Sequence, residues 1–347
     1  MSDVLSSIGM PEIVAGIVVL ALNAYALMGG ADFGGGVWDL LATGPRREAQ
    51  RALIADSIAP IWEANHVWLI VVVVVLFTAF PDAFASLGIV LHVPITIMLV
   101  GIVLRGSAFM FRSYGSRSAS DRHRWGAAFA IASVVTPVLL GVIVGAISSG
   151  AVARAAASAT SGSFVDIYVR PWAAPFPLAV GGFALSIFAF LAAVYLALAA
   201  TDDALREDFR ARALGAAVAV FAFAALSLAL ARSAAPRVAG GIAGSPWSIV
   251  LHLSTGSAAV TAIVALWRRR YSAARVAAAA QVTFILWGWA LSEYPYLLPE
   301  TLTIRDAAAP TVTLKLLLIG LAAGAVILLP SLRYLLKVFA GTNRTAT

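Results

Sequence analysis

A compact set of polar residues leads directly into the most apolar stretch of the chain. Asp56, Trp62, Glu63, Asn65 and His66, with Trp68 just beyond, precede an unbroken valine run at 71–75. In a helix from Trp62 onward, Glu63 and His66 share a face, and Trp62, Asn65 and His66 occupy neighbouring positions of one turn. A carboxylate, an amide and an imidazole grouped at the edge of hydrocarbon could relay protons, bind a quinone head group or orient a cofactor held by another subunit. In a plainer alternative, Trp62 and Trp68 are interfacial belt aromatics while Glu63 and Asn65 cap a span.

Two further blocks carry charge where an apolar medium makes it costly. Gly29, Gly30, Gly34, Gly35 and Gly36 surround Asp32, with Asp39 following; such glycine density lets a backbone turn or approach another group closely. The expectation is that the first helix ends at Met28 and that Asp32 sits in a break, where a carboxylate must be hydrogen-bonded, paired or protonated. Helix capping is the alternative for both acids. In the third block, Arg105 follows a long apolar run, with Arg112 one step further. Its permanent charge must snorkel to the interface or meet an acid, for which Glu63 and Asp56 are candidates. His66, His92, His123 and His252 are scattered, and none of them forms a metal site with its sequence neighbours. Trp287, Trp289, Glu293, Tyr294 and Pro295 give an aromatic, proline-broken end to a late span, which suits an interfacial belt or a quinone-proximal lid.

These residues must be positioned by membrane helices. Of 347 residues, 61% are hydrophobic and 12% charged, against about 25% charged in soluble domains, and the mean hydropathy is +0.92. Apolar runs at 11–28, 58–80, 84–104, 127–147, 175–199, 214–230, 247–267, 276–297 and 314–338 predict an all-α polytopic membrane protein with nine transmembrane helices. The first run reads as a retained helix rather than a cleaved signal. A change of composition after Gly150 suggests two four-helix bundles, at 1–148 with the polar motifs and at 173–297, plus a ninth helix at 310–338. With nine spans, 18 of the 24 Lys and Arg fall on one side and six on the other. The positive-inside rule then places the N-terminus outside and the C-terminus in the cytoplasm. The net charge of +7 has no clustered soluble face on which to bind nucleic acid. The absence of cysteine excludes disulfides, thiolate ligands and c-type haem attachment.

The order of the blocks resembles subunit II of the cytochrome bd-type quinol oxidases, which also occurs in cyanide-insensitive terminal oxidases. The likeness rests on Gly30, Ala31, Asp32, Phe33 and Gly34 after the first apolar run; on Pro60, Trp62, Glu63, Asn65, Val67, Trp68 and Leu69; on Leu104, Arg105, Gly106, Ala108, Phe109, Phe111 and Arg112; and more loosely on Tyr294, Pro295 and Pro299. The chain departs from many relatives at Gly29 and Met110, where they carry acids, and at His66, where some have Gln.

The resemblance implies a heterodimer in the bacterial cytoplasmic (inner) membrane. Its subunit I holds haems b558, b595 and d and the main quinol site, while subunit II contributes no haem ligand. Quinol would be oxidised and dioxygen reduced to water, with protons drawn from the cytoplasm. Under the same resemblance Glu63, Asp32 and Asp56 are proton-path candidates and Trp68 an oxygen-path candidate. Trp62, Asn65, His66, Arg105 and Arg112 are candidates for subunit contact. A structural quinone, a small accessory membrane subunit and bound membrane lipids stay open, as do two other readings of the chain, a secondary transporter and a pure scaffold.

Overall fold

The computed structural model describes residues 9–58, 62–112, 118–159 and 161–342, without the side chains of residues 58, 62, 63, 119, 122 and 336–342. Pro60 and Arg117 lie outside the described residues, as do the side chains of Trp62 and Glu63. In chain order the helices are α1 (Met10–Leu40), α2 (Arg47–Ile58), α3 (Trp62–Ala79), α4 (Pro81–Val90), α5 (His92–Met110), α6 (Ala119–Ser148), α7 (Ala151–Ala157), α8 (Phe164–Tyr168), α9 (Pro175–Ala199), α10 (Asp203–Ala234), α11 (Pro236–Gly244), α12 (Pro246–Trp267), α13 (Tyr271–Glu293) and α14 (Thr311–Thr342). A small antiparallel hairpin, β1 (Tyr296–Leu298) and β2 (Leu302–Thr303), joins the last two. Among the described residues, eight helices are long and apolar enough to cross a membrane, and up to nine if the bent α3–α4 pair counts as one span.

The first helix does not end at Met28. It runs unbroken through the glycine-rich stretch to Leu40, so Asp32 lies inside a helix and not in a break. Each glycine costs about 1 kcal/mol relative to alanine in a helix. Unwinding within hydrocarbon would instead leave backbone groups without partners, at several kcal/mol each. What the glycines supply is close approach. A Cβ on Gly30 would stand 2.6 Å from Leu191 of α9, one on Gly34 would fall on the Phe188 carbonyl, and one on Gly36 would fall on the Ser133 side chain of α6. Small residues let transmembrane backbones meet in this way.

The second and third spans also differ from the apolar runs. Pro81 begins a new helix, bent by 117° from the one before it, because proline has no N–H to continue the ladder. The freed carbonyl of Ala79 accepts a 2.8 Å hydrogen bond from the Ala309 N–H ahead of α14, which satisfies a backbone group that hydrocarbon would strand. Residues 84–90 therefore belong to the short α4, and the third span starts at His92.

Helix α9 is the centre of the packing. Its apolar window is 61% buried, against 6% for α14, and it contacts α10, α6 and α1. A helix that is apolar all round belongs in such a position. At one end of the molecule, Arg112 meets Asp39, Arg46 meets Asp208 and Arg269 meets Glu207. These pairs gather the connections after α1, α5, α9 and α12 at that end. At the other end, Arg305 meets Glu12 at 2.5 Å and Arg154 meets Glu300 at 3.6 Å.

Close packing at the glycine face predicts an asymmetric response to substitution. Gly34→Leu should destabilise the protein by about 1–3 kcal/mol or more through overpacking. Gly16→Ala, where nothing lies within 4 Å of the added carbon, should be neutral or slightly stabilising. Thermal unfolding of both variants in mild detergent checks this; equal effects would show that α1 does not depend on the contact.

Candidate functional site

Two carboxylates on α1, Asp32 and Asp39, are seven residues apart and so sit two turns apart on one face. Two arginines, Arg105 and Arg112, carry the same spacing. The structure joins them in register. Asp32 meets Arg105 with Oδ1 to Nη2 at 2.5 Å, and Asp39 meets Arg112 in a fork of 2.9 and 3.1 Å. Matching offsets require the two helical segments to run in parallel, as the first and third spans of a membrane bundle do. The pairs are about 10 Å apart along the helix at 1.5 Å per residue.

The inner pair is enclosed. Arg105 is 2% exposed and Asp32 and Asn65 are fully buried. Arg105 donates from Nη2 to the Asp32 carbonyl at 2.7 Å and from Nε to the Ser133 hydroxyl at 2.9 Å. Ser133 in turn donates to the Phe129 carbonyl at 2.7 Å. The guanidinium carbon lies 4.8 Å from the Phe33 ring centre and 4.9 Å from that of Phe129, a geometry in which the ring faces attract the cation. Asn65 Nδ2 approaches the second carboxylate oxygen of Asp32 at 3.3 Å. Glycine makes room on two sides: a Cβ on Gly29 would press on Asn65, and one on Gly101 would stand 2.6 Å from Thr136 Oγ1, one turn from Arg105.

Arg105 thus does not snorkel, and it does not meet Asp56; the side chain of Glu63, the other candidate, lies outside those described. The partner of Arg105 is Asp32, because the continuous α1 carries that acid to the depth of Arg105, whereas Asp56 is exposed on α2. The backbone of Glu63 lies in the first turn of α3, two residues before Asn65. His66 stands edge-on to Phe33 at 6.5 Å, and Trp68 is partly buried between the two main apolar clusters. Among the described residues no group of three His, Asp or Glu could hold a metal ion; His92 and His252 each lie within hydrogen-bond reach of carbonyls three or four residues back, those of Ile89 and Ser248.

The outer pair opens toward water. Arg51 Nε lies 3.7 Å from Asp39, and beyond it Arg46 and Gln50 both donate to Asp208. Asp208 beside it raises the Arg46 guanidinium further. Arg212 donates to Gln50 at 2.8 Å and lies over Trp38 and Phe209, while Trp38 donates to the Ala189 carbonyl at 2.8 Å. A ladder of charge therefore runs from the enclosed pair to the surface.

Ser133, Thr136 and the pairing of Asp39 were not singled out as site residues in the sequence, yet the repeated seven-residue spacing of acids and arginines was available as a signal. Glu293, part of the aromatic end of that late span, is 6% exposed. Beside it Trp289 donates to Ser148 at 2.8 Å.

Removing one partner of a buried pair strands the other charge, which costs about 3–5 kcal/mol. Asp32→Asn and Arg105→Leu should each lower unfolding stability by about that amount, and the double substitution should cost clearly less than the sum. Denaturant unfolding of the four proteins in detergent checks this; additive losses would show that the two side chains are not coupled.

Residues 10–339 match the family model for cytochrome bd terminal oxidase subunit II. A putative cytochrome bd menaquinol oxidase subunit II of Bacillus subtilis (strain 168) is 23% identical over 334 residues, 92% of either chain. The cytochrome bd-I ubiquinol oxidase subunit 2 of Escherichia coli (strain K12) is 31% identical over 134 residues, 39% of this chain and 35% of its own length. The solved structure of bd oxidase from Geobacillus thermodenitrificans shares the fold, with a TM-score of 0.77 at 23% identity over 95% of this chain and 98% of that one. A match across nearly the whole chain, carried on the same helical architecture, places this protein in the cytochrome bd terminal oxidase subunit II family.

Proposed function

We propose that this chain is the non-haem subunit of a quinol:dioxygen oxidoreductase. It pairs as a heterodimer with a haem-bearing subunit I that holds haems b558, b595 and d. Family membership implies a quinol oxidase complex. The finer division of labour rests on one observation: the acid at the centre of this subunit is already committed to an arginine and an amide. Asp32 is engaged by Arg105 and Asn65, and Phe33, Phe129 and Phe188 surround the pair. Such a centre is suited to holding α1, α3, α5 and α6 in one register.

A proton route is then better served by Asp56, exposed on α2, and by Glu63 at the start of α3. Both lie at the end of the molecule where Arg46, Arg112, Arg212 and Arg269 gather, and the positive-inside rule supports a cytoplasmic location for that end. Protons taken up there would pass toward the haem subunit as electrons move from quinol to dioxygen, giving water. Trp68, between two apolar clusters, suits a wall of an oxygen path. The scaffold reading is favoured for Asp32 and Arg105 by their enclosure; the carrier reading is kept for Glu63.

Purification of the complex, haem spectra and quinol-dependent oxygen uptake separate these roles. Glu63→Gln should keep the haem content and slow oxygen uptake by about tenfold, which is about 1.4 kcal/mol on the barrier. Asp32→Asn should instead reduce the yield of assembled, haem-containing complex. If Glu63→Gln loses haem and assembly together, the proton route through Glu63 fails.

A further inference from the structure

The turn between α12 and α13 presents Arg268, Arg269 and Arg270 in succession, with Arg275 one turn on, and all four are exposed. The turn closes as a Schellman motif: Arg270 N–H donates to the Ala265 carbonyl at 2.8 Å and Arg269 N–H to that of Leu266 at 3.1 Å. Its left-handed position, φ 57°, is held by Arg269, where glycine is the usual occupant because it has no Cβ to crowd the following carbonyl. A charged side chain kept at a strained position points to use of that charge. Arg269 reaches Glu207 at 3.4 Å. Among the described residues, Arg268, Arg270 and Arg275 make no ion pair, and Trp267 beside them is 66% exposed, as interfacial tryptophans are.

Directly below this turn lies a groove of about 590 Å³ between α12 and α13. Its floor is small: Ala258 and Thr261 on one helix, Ala273, Ala277 and Ala280 on the other, with Phe284 at the far end. The Ser257 hydroxyl on its wall is already bonded to the Ser254 carbonyl at 3.0 Å, and the surface presented is mainly apolar. From Ala273 to Phe284 is eleven residues, about 16 Å of helix at 1.5 Å per residue. That is half of a hydrocarbon core of about 30 Å, the depth of one leaflet.

From this juxtaposition we propose that the α12–α13 hairpin binds one anionic phospholipid, its phosphate held by Arg268, Arg270 and Arg275 and an acyl chain lying in the groove. The two requirements of a lipid, a cationic cap at the interface and an apolar channel one leaflet deep, meet on consecutive segments of the chain. Basic pockets between transmembrane helices recognise anionic head groups by this charge complementarity, and alanines at the helix contact leave room that a chain of methylenes fills by apolar and dispersion contact.

The test uses the complex containing this subunit, stripped of lipid by detergent exchange and titrated with phosphatidylglycerol or phosphatidylcholine, with bound lipid counted by native mass spectrometry. Phosphatidylglycerol should saturate a site that phosphatidylcholine fills at least about tenfold more weakly. Arg268→Gln/Arg270→Gln should remove that preference, and Ala280→Phe, which fills the groove, should lower retention of the lipid in the folded complex. Because the chain has no cysteine, Ala273→Cys gives a single cross-linking site for the groove. Equal binding of the two lipids, an unchanged preference in the arginine variant, or capture of a protein helix by Cys cross-linking would each overturn the proposal.

Discussion

One buried charge organises this subunit. Arg105 stands 2% exposed in the middle of an apolar bundle, where a guanidinium costs at least about 2.5–3.5 kcal/mol to insert even on the most lenient scale. It is tolerable only if its donors find acceptors and its flat faces find aromatic rings. Asp32, Ser133, Phe33 and Phe129 meet those needs together, and they come from α1 and α6 while the arginine comes from α5. Three helices are thereby held at one depth and one rotation, since a shift of either by one residue would turn a charge toward lipid. The amide of Asn65 adds α3 to the same junction.

The glycines of α1 set the packing around that pair. Gly30, Gly34 and Gly36 place α9 and α6 against the bare backbone of α1. Ser133 links the two: the same side chain that receives Arg105 occupies the space a Cβ on Gly36 would take. Buried ion pairs contribute little net stability compared with apolar packing. What this one supplies is register, which suits a subunit whose helices must present a fixed face to a partner. The outer pair, Asp39 with Arg112 and Arg51, repeats the arrangement two turns away in partial contact with water, where strict enclosure is not needed.

Most of the architecture was legible before any coordinates. Helical membrane spans, their number to within the bent α3–α4 pair, and the grouping of basic connections at one end all follow from hydropathy and the distribution of arginine, because hydrocarbon admits few alternatives to a closed helix. The boundaries were less legible where two signals compete. Glycine density at 29–36 reads as a helix end in water and acts as a packing face in a bilayer. Pro81 falls within the gap between two apolar runs, yet it bends the chain through 117° and gives residues 84–90 to a separate helix.

The candidate site divides along the same line. Residue types and spacing alone marked Asp32, Asn65, His66 and Arg105 as costly groups in an apolar setting, and cost is a property of each residue that sequence carries. The choice of partner is a property of pairs. The sequence offered Glu63 and Asp56 to Arg105, and only the continuation of α1 past its glycines, with the close approach of α6, brought Asp32 to it while Asp56 stays exposed on α2. The sequence by itself determined that this is a helical membrane protein with a few expensive polar groups in its first half; the tertiary structure decided which of them neutralise one another, because distance between helices is set by packing and not by position along the chain.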